Sequence, residues 1–268
     1  MGAGTDPVCG RKVVADGDRK TEHPAGRASL CGKLGIGGWK ERRRRSDGSF
    51  FDEIETDDQL GQNTWEEAES MLQQKAARLA VKKAGCTPED IRIIFAGDLL
   101  AQSIASSFGI GELDRPLYGL FGACSTMGEA LSLGAITLSA GHGERVLAVT
   151  SSHFATAEKE FRFPLGYGSQ RPLSASWTVT GSGACVLNRK KGKVKITGLT
   201  TGKVVDYGLK DSQNMGACMA PAACSTIAQN LKDFGREPEA YDQIITGDLG
   251  YVGQQILLDL LEKEAIRR

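Results

Sequence analysis

The stretch 117–130, LYGLFGACSTMGEA, constrains this chain more than any other. It reads as a short buried strand, a turn of small residues, then a helix, with Cys124 at the corner. A cysteine at such a corner sits at a helix N-terminus, where free amides and the macrodipole favour the thiolate. Gly122, Ala123 and Ser125 leave a substrate room to approach the sulfur, as glycines do at other nucleophile elbows. A packed core cysteine fits the same local pattern, because free Cys is among the most buried residue types. The stretch alone leaves both readings open.

The rest of the chain bounds what that corner can serve. Its 268 residues suffice for one large domain or two ordinary ones. Thirty-three basic residues balance 33 acidic ones, which argues against a general nucleic-acid binder and gives no pull towards anionic lipid. The seven cysteines are scattered without a CxxC pair and there are three histidines, a poor basis for a disulfide scaffold or a zinc site. Reducing conditions fit this usage, and neither a metal nor a cofactor is expected. Residues 1–10 lack the apolar run of a secretory signal. Residues 117–143 carry few charges, but their Gly, Ser and Thr content and their strand-to-helix break predict a helix buried inside a domain rather than a membrane span.

Residues 1–48 look foreign to the rest of the chain, with scattered glycines, the run Arg42 to Arg45 and little periodicity. We read them as a leader outside the fold, disordered, of the composition a misplaced start or shifted frame produces; a basic patch for nucleic acid or lipid is the other reading. From residue 49 the text is orderly. Thr64 and Glu67 form a capping box opening a helix to Ala84, with Gly85 as its stop. A strand over 91–96 ends at Gly97-Asp98, and a short helix precedes the elbow. Strands are predicted over 145–150 and 177–187, the latter turning at Lys191-Gly192 into a hairpin with 193–199. Ala220-Pro221 opens a helix to Phe234, followed by a strand over 241–246 and a final helix over 252–264.

Two segments match at a spacing of 150. Gly85, Pro88, Glu89, Ile94, Gly97, Asp98 and Leu99 recur as Gly235, Pro238, Glu239, Ile244, Gly247, Asp248 and Leu249. Helix, glycine stop, Pro-Glu turn, apolar strand and Gly-Asp-Leu come in the same order, the mark of a duplicated half-domain. The expected organisation is a first half over 49–200 and the start of a second over 201–268. That second half is expected to be incomplete, leaving part of a sheet uncovered and solubility low.

A duplicated α/β half with a cysteine elbow after its third strand resembles the thiolase-like superfamily of ketoacyl synthases. Gly181-Ser182-Gly183-Ala184 resembles that group's glycine-rich strand. Ala96 to Leu100, Phe121 to Thr126, Thr150 to Phe154, Phe161 to Pro164, Thr178 to Gly181 and Met219 to Ala223 resemble one branch, the stage V sporulation AD family, over about residues 50 to 264. The resemblance implies an α/β fold of five layers, αβαβα, with the second half truncated, usually as a homodimer. It also implies a protein that binds dipicolinic acid (pyridine-2,6-dicarboxylate), free or as its calcium chelate, rather than one that turns a substrate over. Its partners would be other stage V sporulation membrane proteins of the same operon, and its place the forespore inner membrane, peripherally and without a transmembrane segment.

A condensing enzyme needs an oxyanion hole and a histidine or asparagine beside the thiolate. Gly247-Asp248 stands where such a histidine is expected, so an acyltransferase using Cys124 is the alternative reading. A dicarboxylate binder needs cationic and amide donors. His153, Arg162, Gln170 and Arg171 are the candidates, with Cys124 as the pocket floor. Each has a plainer reading: solvated loop charges for the arginines, a core histidine for His153. Asp98 is a further candidate at a strand end, although it and Asp248 read better as caps of the helices that follow them.

Overall fold

The computed structural model of the chain describes residues 27–36, 51–158, 173–174, 180–190, 192–211 and 213–266. Its centre is one mixed sheet of seven strands: β1 (Arg27–Ile36), β2 (Glu53–Glu55), β3 (Ile93–Asp98), β4 (Leu117–Gly119), β5 (Arg145–Ser152), β6 (Gly181–Asn188) and β7 (Val194–Lys195). The order across the sheet is β2-β1-β6-β5-β3-β4, with β7 also on β1. β3 runs parallel to β4 and β5, whereas β6 is antiparallel to both β5 and β1.

Strands β3, β5 and β6 each carry a continuous apolar run, over residues 93–96, 146–149 and 184–187, because helices cover both faces. On one face Ile94, Ala96, Leu147, Val149, Ala184 and Val186 pack with Leu72, Ala76, Ala80 and Ile110. These last belong to α1 (Trp65–Lys83) and α2 (Ile104–Gly111). On the other face Phe95, Val146, Ala148 and Leu187 meet Ala130, Ala135 and Leu138 of α3 (Thr126–Ser139). Neighbouring residues thus point to opposite layers, the period of two that a pleated strand imposes.

Local signals set the boundaries of α1. Thr64 Oγ1 accepts from the Glu67 amide at 3.2 Å, while Glu67 Oε2 accepts from the Thr64 amide at 3.1 Å. Both arms of the expected capping box are present. The helix stops at Gly85, whose φ of +63° suits a residue without Cβ. Between α1 and α2 the backbones come close: a Cβ on Gly109 would lie 2.4 Å from the Ser70 carbonyl oxygen.

Three expectations for the fold are corrected. The stretch 27–36 is no free leader. It is β1, paired along its length with β6 and flanked by β2 and β7, so its neighbours make it a strand although its own residues show no period. The segment after Lys191 does not fold back on β6. Only Val194 and Lys195 form a strand, and they pair with β1, which already fills the place beside β6. The helix expected to open at Pro221 starts earlier, as α4 (Met215–Phe234), with Pro221 inside it. Asn214 caps it through a 3.2 Å bond from the Ala217 amide.

The second copy of the repeat follows the first only part of the way. Gly235 ends α4 at φ +57°, as Gly85 ends α1, and Pro238–Ala240 repeats the 3-10 turn of Pro88–Asp90. Residues 241–246 then diverge from β3, because they pair with no strand among the described residues. Ile245 is 84% exposed. An extended segment becomes a strand only where a neighbour takes up its backbone groups, and β3 has such neighbours on both sides. α5 (Gly250–Lys263) packs on α4 through Ala220, Cys224, Leu249 and Leu257. Their backbones touch at Gly216 and Gly253, where a Cβ on Gly216 would lie 1.9 Å from the Leu249 carbonyl oxygen. Among the described residues no helix is long and apolar enough to cross a membrane.

Candidate functional site

The C-terminal ends of β3, β4 and β5 lie together, the edge where open α/β sheets commonly hold ligands. Gly97 draws the chain after β4 against β3: the Leu120 amide donates to the Ala96 carbonyl at 2.8 Å, and a Cβ on Gly97 would sit 2.5 Å from the Leu120 oxygen. The chain then turns through Ala123–Ser125 into α3, and Ala123 holds a φ of +46°. A positive φ at a residue with a Cβ is strained, and such strain gathers at functional corners. Cys124 therefore sits at the expected corner, on the exposed side of it.

Its electrostatics differ from the expectation. Although the residue as a whole is exposed, the corner screens the sulfur in part from water, which pushes the Cys124 thiol up from its ordinary value and outweighs an opposing backbone hydrogen bond. The first turn of α3 already carries a carboxylate, Glu129, whose Oε1 lies 2.7 Å from the Ser125 hydroxyl. The helix end thus already has an acid of its own facing it, and the shift at Cys124 runs away from a thiolate.

His153 follows β5 and is fully buried. Its Nε2 lies 2.9 Å from the Asp58 carbonyl oxygen, and its Nδ1 accepts from the Ala155 amide at 3.2 Å. An acceptor at Nδ1 and a donor at Nε2 define the neutral tautomer. Burial holds its pKa below the ordinary range, against the pull of the Asp58 carbonyl and of the Asp58 and Glu66 charges. Its ring packs on Trp65 and Phe154, with centroids 5.3 and 4.9 Å away. Both nitrogens are spoken for, so His153 ties the end of β5 to the entry of α1. His142 lies in the turn between α3 and β5, flanked by Gly141 and Gly143 at positive φ. That turn is at the N-terminal edge of the parallel strands, opposite Cys124.

Asp98 ends β3 and is buried. Its Oδ2 accepts from the Ser106 hydroxyl at 2.8 Å and from the Ser106 amide at 3.4 Å, while Oδ1 accepts from the Gln102 amide at 3.4 Å. The carboxylate thus faces the N-terminus of α2, where amides favour negative charge. In the second half, Asp248 Oδ1 accepts from the Gly250 amide at 2.9 Å, at the start of α5. Arg162, Gln170 and Arg171 lie outside the described residues.

Sequence reasoning missed the polar cluster beneath this edge. Glu69 of α1 is 1% exposed. Its Oε1 accepts from Ser151 Oγ at 2.7 Å and its Oε2 lies 2.5 Å from Thr156 Oγ1. One turn on, Gln73 Nε2 reaches Ser151 Oγ at 2.8 Å, Ser106 Oγ at 3.0 Å and the Gly97 carbonyl at 3.1 Å. A continuous chain of polar groups therefore joins Thr156, Glu69, Ser151, Gln73, Ser106 and Asp98. Burial raises the Glu69 pKa from 4.5 to about 7; Thr156 and Ser151 oppose this, and the Asp98 and Glu66 charges add to it. The signal was present in the sequence: Glu69 and Gln73 are four residues apart, on the apolar stripe of α1 that should face the core.

Solved structures share the fold at identities too low to say more. OleA from Xanthomonas campestris superposes with a TM-score of 0.61 at 15% identity, covering 91% of this chain and 82% of that one. The 3-oxoacyl-[acyl-carrier-protein] synthase III of Aquifex aeolicus VF5 gives 0.58 at 15% identity, covering 90% and 82%. The priming β-ketosynthase of the R1128 polyketide pathway gives 0.56 at 13%, covering 94% and 82%. The fold is therefore thiolase-like. A curated relative, stage V sporulation protein AD of Bacillus subtilis (strain 168), is 43% identical over 217 residues, 81% of this chain and 64% of that protein. The chain thus spans under two thirds of that relative's length. The family model for stage V sporulation protein AD matches residues 20–268, which includes β1 and extends the match well into the stretch first read as a leader. On these matches the chain belongs to the stage V sporulation protein AD family.

Proposed function

We propose that this chain serves sporulation by binding dipicolinic acid, free or as its calcium chelate, and by assisting its uptake into the forespore. Family membership supports the sporulation role. Cys124 carries the choice of binding over turnover. Burial pushes its thiol up rather than down, and the two described histidines are placed elsewhere, His153 bonded to Asp58 and Ala155 and His142 at the far edge of the sheet. A condensing reaction needs a thiolate with a proton-handling partner beside it; a binding pocket needs neither.

In this reading Cys124 lines the floor of a pocket at the C-terminal edge of β3, β4 and β5. Arg162, Gln170 and Arg171 supply the donors for two carboxylates. The protein works peripherally at the forespore inner membrane beside other stage V sporulation membrane proteins of its operon. It does so as a homodimer, a state supported by the edge of β4 that pairs with no described strand and by the exposed Tyr118 and Phe121 beside it.

One observation favours the alternative, acyl transfer by Cys124: the strained elbow is retained in a thiolase-like fold. The two readings separate in one set of assays. Binding predicts saturable uptake of dipicolinate and no release of coenzyme A from acyl-CoA. Coenzyme A release that disappears in Cys124→Ser would overturn it. Failure to bind dipicolinate, together with retention of sporulation membrane proteins, would make the chain a scaffold.

A further inference from the structure

We infer that Glu69 is a proton-operated latch: when protonated it leaves the Thr156 hydroxyl free to close the turn after β5 on the His153 carbonyl, and when it ionises it draws that hydroxyl proton to itself and loosens the turn. The inference starts from a count of hydrogens. Thr156 Oγ1 lies 2.5 Å from Glu69 Oε2 and 3.0 Å from the His153 carbonyl oxygen. Its single proton serves one of them. If Glu69 carries a proton on Oε2, both contacts are satisfied: Glu69 donates to Thr156, and Thr156 donates to His153. Glu69 Oε1 accepts from Ser151, whose oxygen in turn accepts from Gln73. Between Glu69 and the two hydroxyls every contact then has its own hydrogen. If Glu69 is ionised, Thr156 must turn its proton to the carboxylate and give up the His153 carbonyl.

The groups facing Glu69 bear on whether it holds the proton. Among the described residues, the charged and titratable groups around Glu69 are Glu66 on α1 itself, Asp98 at the end of β3, and His153 in the turn after β5. From α2 the facing group is the uncharged Ser106. Two of the three are acids acting against ionisation. His153 is neutral, with its ring nitrogens engaged by Asp58 and Ala155. Asp98 has two amides and a hydroxyl at the α2 N-terminus, whereas Glu69 has two hydroxyls. The surroundings therefore favour the proton on Glu69.

What the latch holds is the π-helical turn Phe154–Glu158. The Phe154 amide donates to Thr180 Oγ1, and the Thr156 and Ala157 amides donate to the His153 carbonyl, the same oxygen that Thr156 Oγ1 reaches. Loss of that contact, with a charged carboxylate buried beneath it, favours openings that let water reach Glu69.

Hydrogen exchange of a peptide spanning 153–157, corrected for the intrinsic rate, reads the latch directly. Glu69 titrates near pH 7 when buried and near 4.5 when exposed, so opening should become about tenfold more frequent between pH 6 and pH 8. Glu69→Gln copies the protonated acid and should remove that dependence. The inference is overturned if the peptide's protection is flat with pH in the native protein, or falls equally in Glu69→Gln. Should that variant not fold, carboxyl carbon NMR of the native protein decides instead. A Glu69 signal that titrates near neutrality together with the loss of protection supports the latch; one titrating near 4.5 refutes it.

Discussion

Replacing Glu69 with glutamine should make this protein more stable at alkaline pH and leave it nearly unchanged at acid pH. Glutamine matches the protonated carboxyl in shape, offering one donor and one acceptor to Ser151 and Thr156. In the native chain the Glu69 pKa rises on folding from 4.5 to about 7. Below pH 4.5 both folded and unfolded chains carry the proton, and no penalty exists. As pH rises from there, the unfolded chain ionises while the folded chain cannot, and stability falls until the buried group itself ionises near pH 7. The full difference corresponds to about 3 kcal/mol, of which some 2–3 kcal/mol falls between pH 5 and pH 8. The glutamine variant has no such term, so the other titrations cancel in the comparison. Urea unfolding of both proteins at pH 5 and pH 8 measures the gap. It should widen in favour of Glu69→Gln by that amount. A gap that stays constant within about 0.5 kcal/mol, or that narrows, would refute the assignment of a buried, protonated Glu69.

The packing and the elbow give three further expected outcomes. Gly216→Ala forces a Cβ to within 1.9 Å of the Leu249 carbonyl, so unfolding should become easier by about 3 kcal/mol despite alanine's better helix propensity, as urea curves would show. Gly128→Ala on α3 meets nothing within 4 Å and should raise the denaturation midpoint by the equivalent of about 1 kcal/mol. The Cys124 thiol is held above its ordinary value, so its alkylation rate, followed by mass spectrometry, should keep rising past about pH 8.5. A plateau below pH 8 would show a thiolate and return the site to covalent chemistry.

Much of this architecture could be read from residues alone. The capping box at Thr64, the glycine stops at 85 and 235 and the apolar runs of β3, β5 and β6 each carry a local physical cause, and the structure has all of them. The elbow was legible in part: the strand, turn and helix of 117–130 are there, but β4, expected to be buried, lies at the end of the strand order with Tyr118 57% exposed, and the residues alone left a packed or an exposed Cys124 open. What escaped depended on distant partners. β1 has no period of its own and is made a strand by β6 and β2 on either side. Residues 241–246 have strand-like composition but no pairing neighbour among the described residues. At the site, position could be read from sequence but electrostatics could not: the helix end that should favour a thiolate already faces Glu129. Glu69 and Gln73 were overlooked because polar residues on a helix usually face water, and their meaning appears only with Ser151, Ser106 and Thr156 around them.

Binding without turnover is the central claim, and calorimetric titration of the protein with dipicolinate tests it most directly. The account predicts a saturable heat at one ligand per chain, with affinity reduced about tenfold or more by Arg162→Ala or Arg171→Ala, the loss expected for a charge-assisted hydrogen bond. A folded protein that gives no saturable heat, with or without calcium, would contradict it.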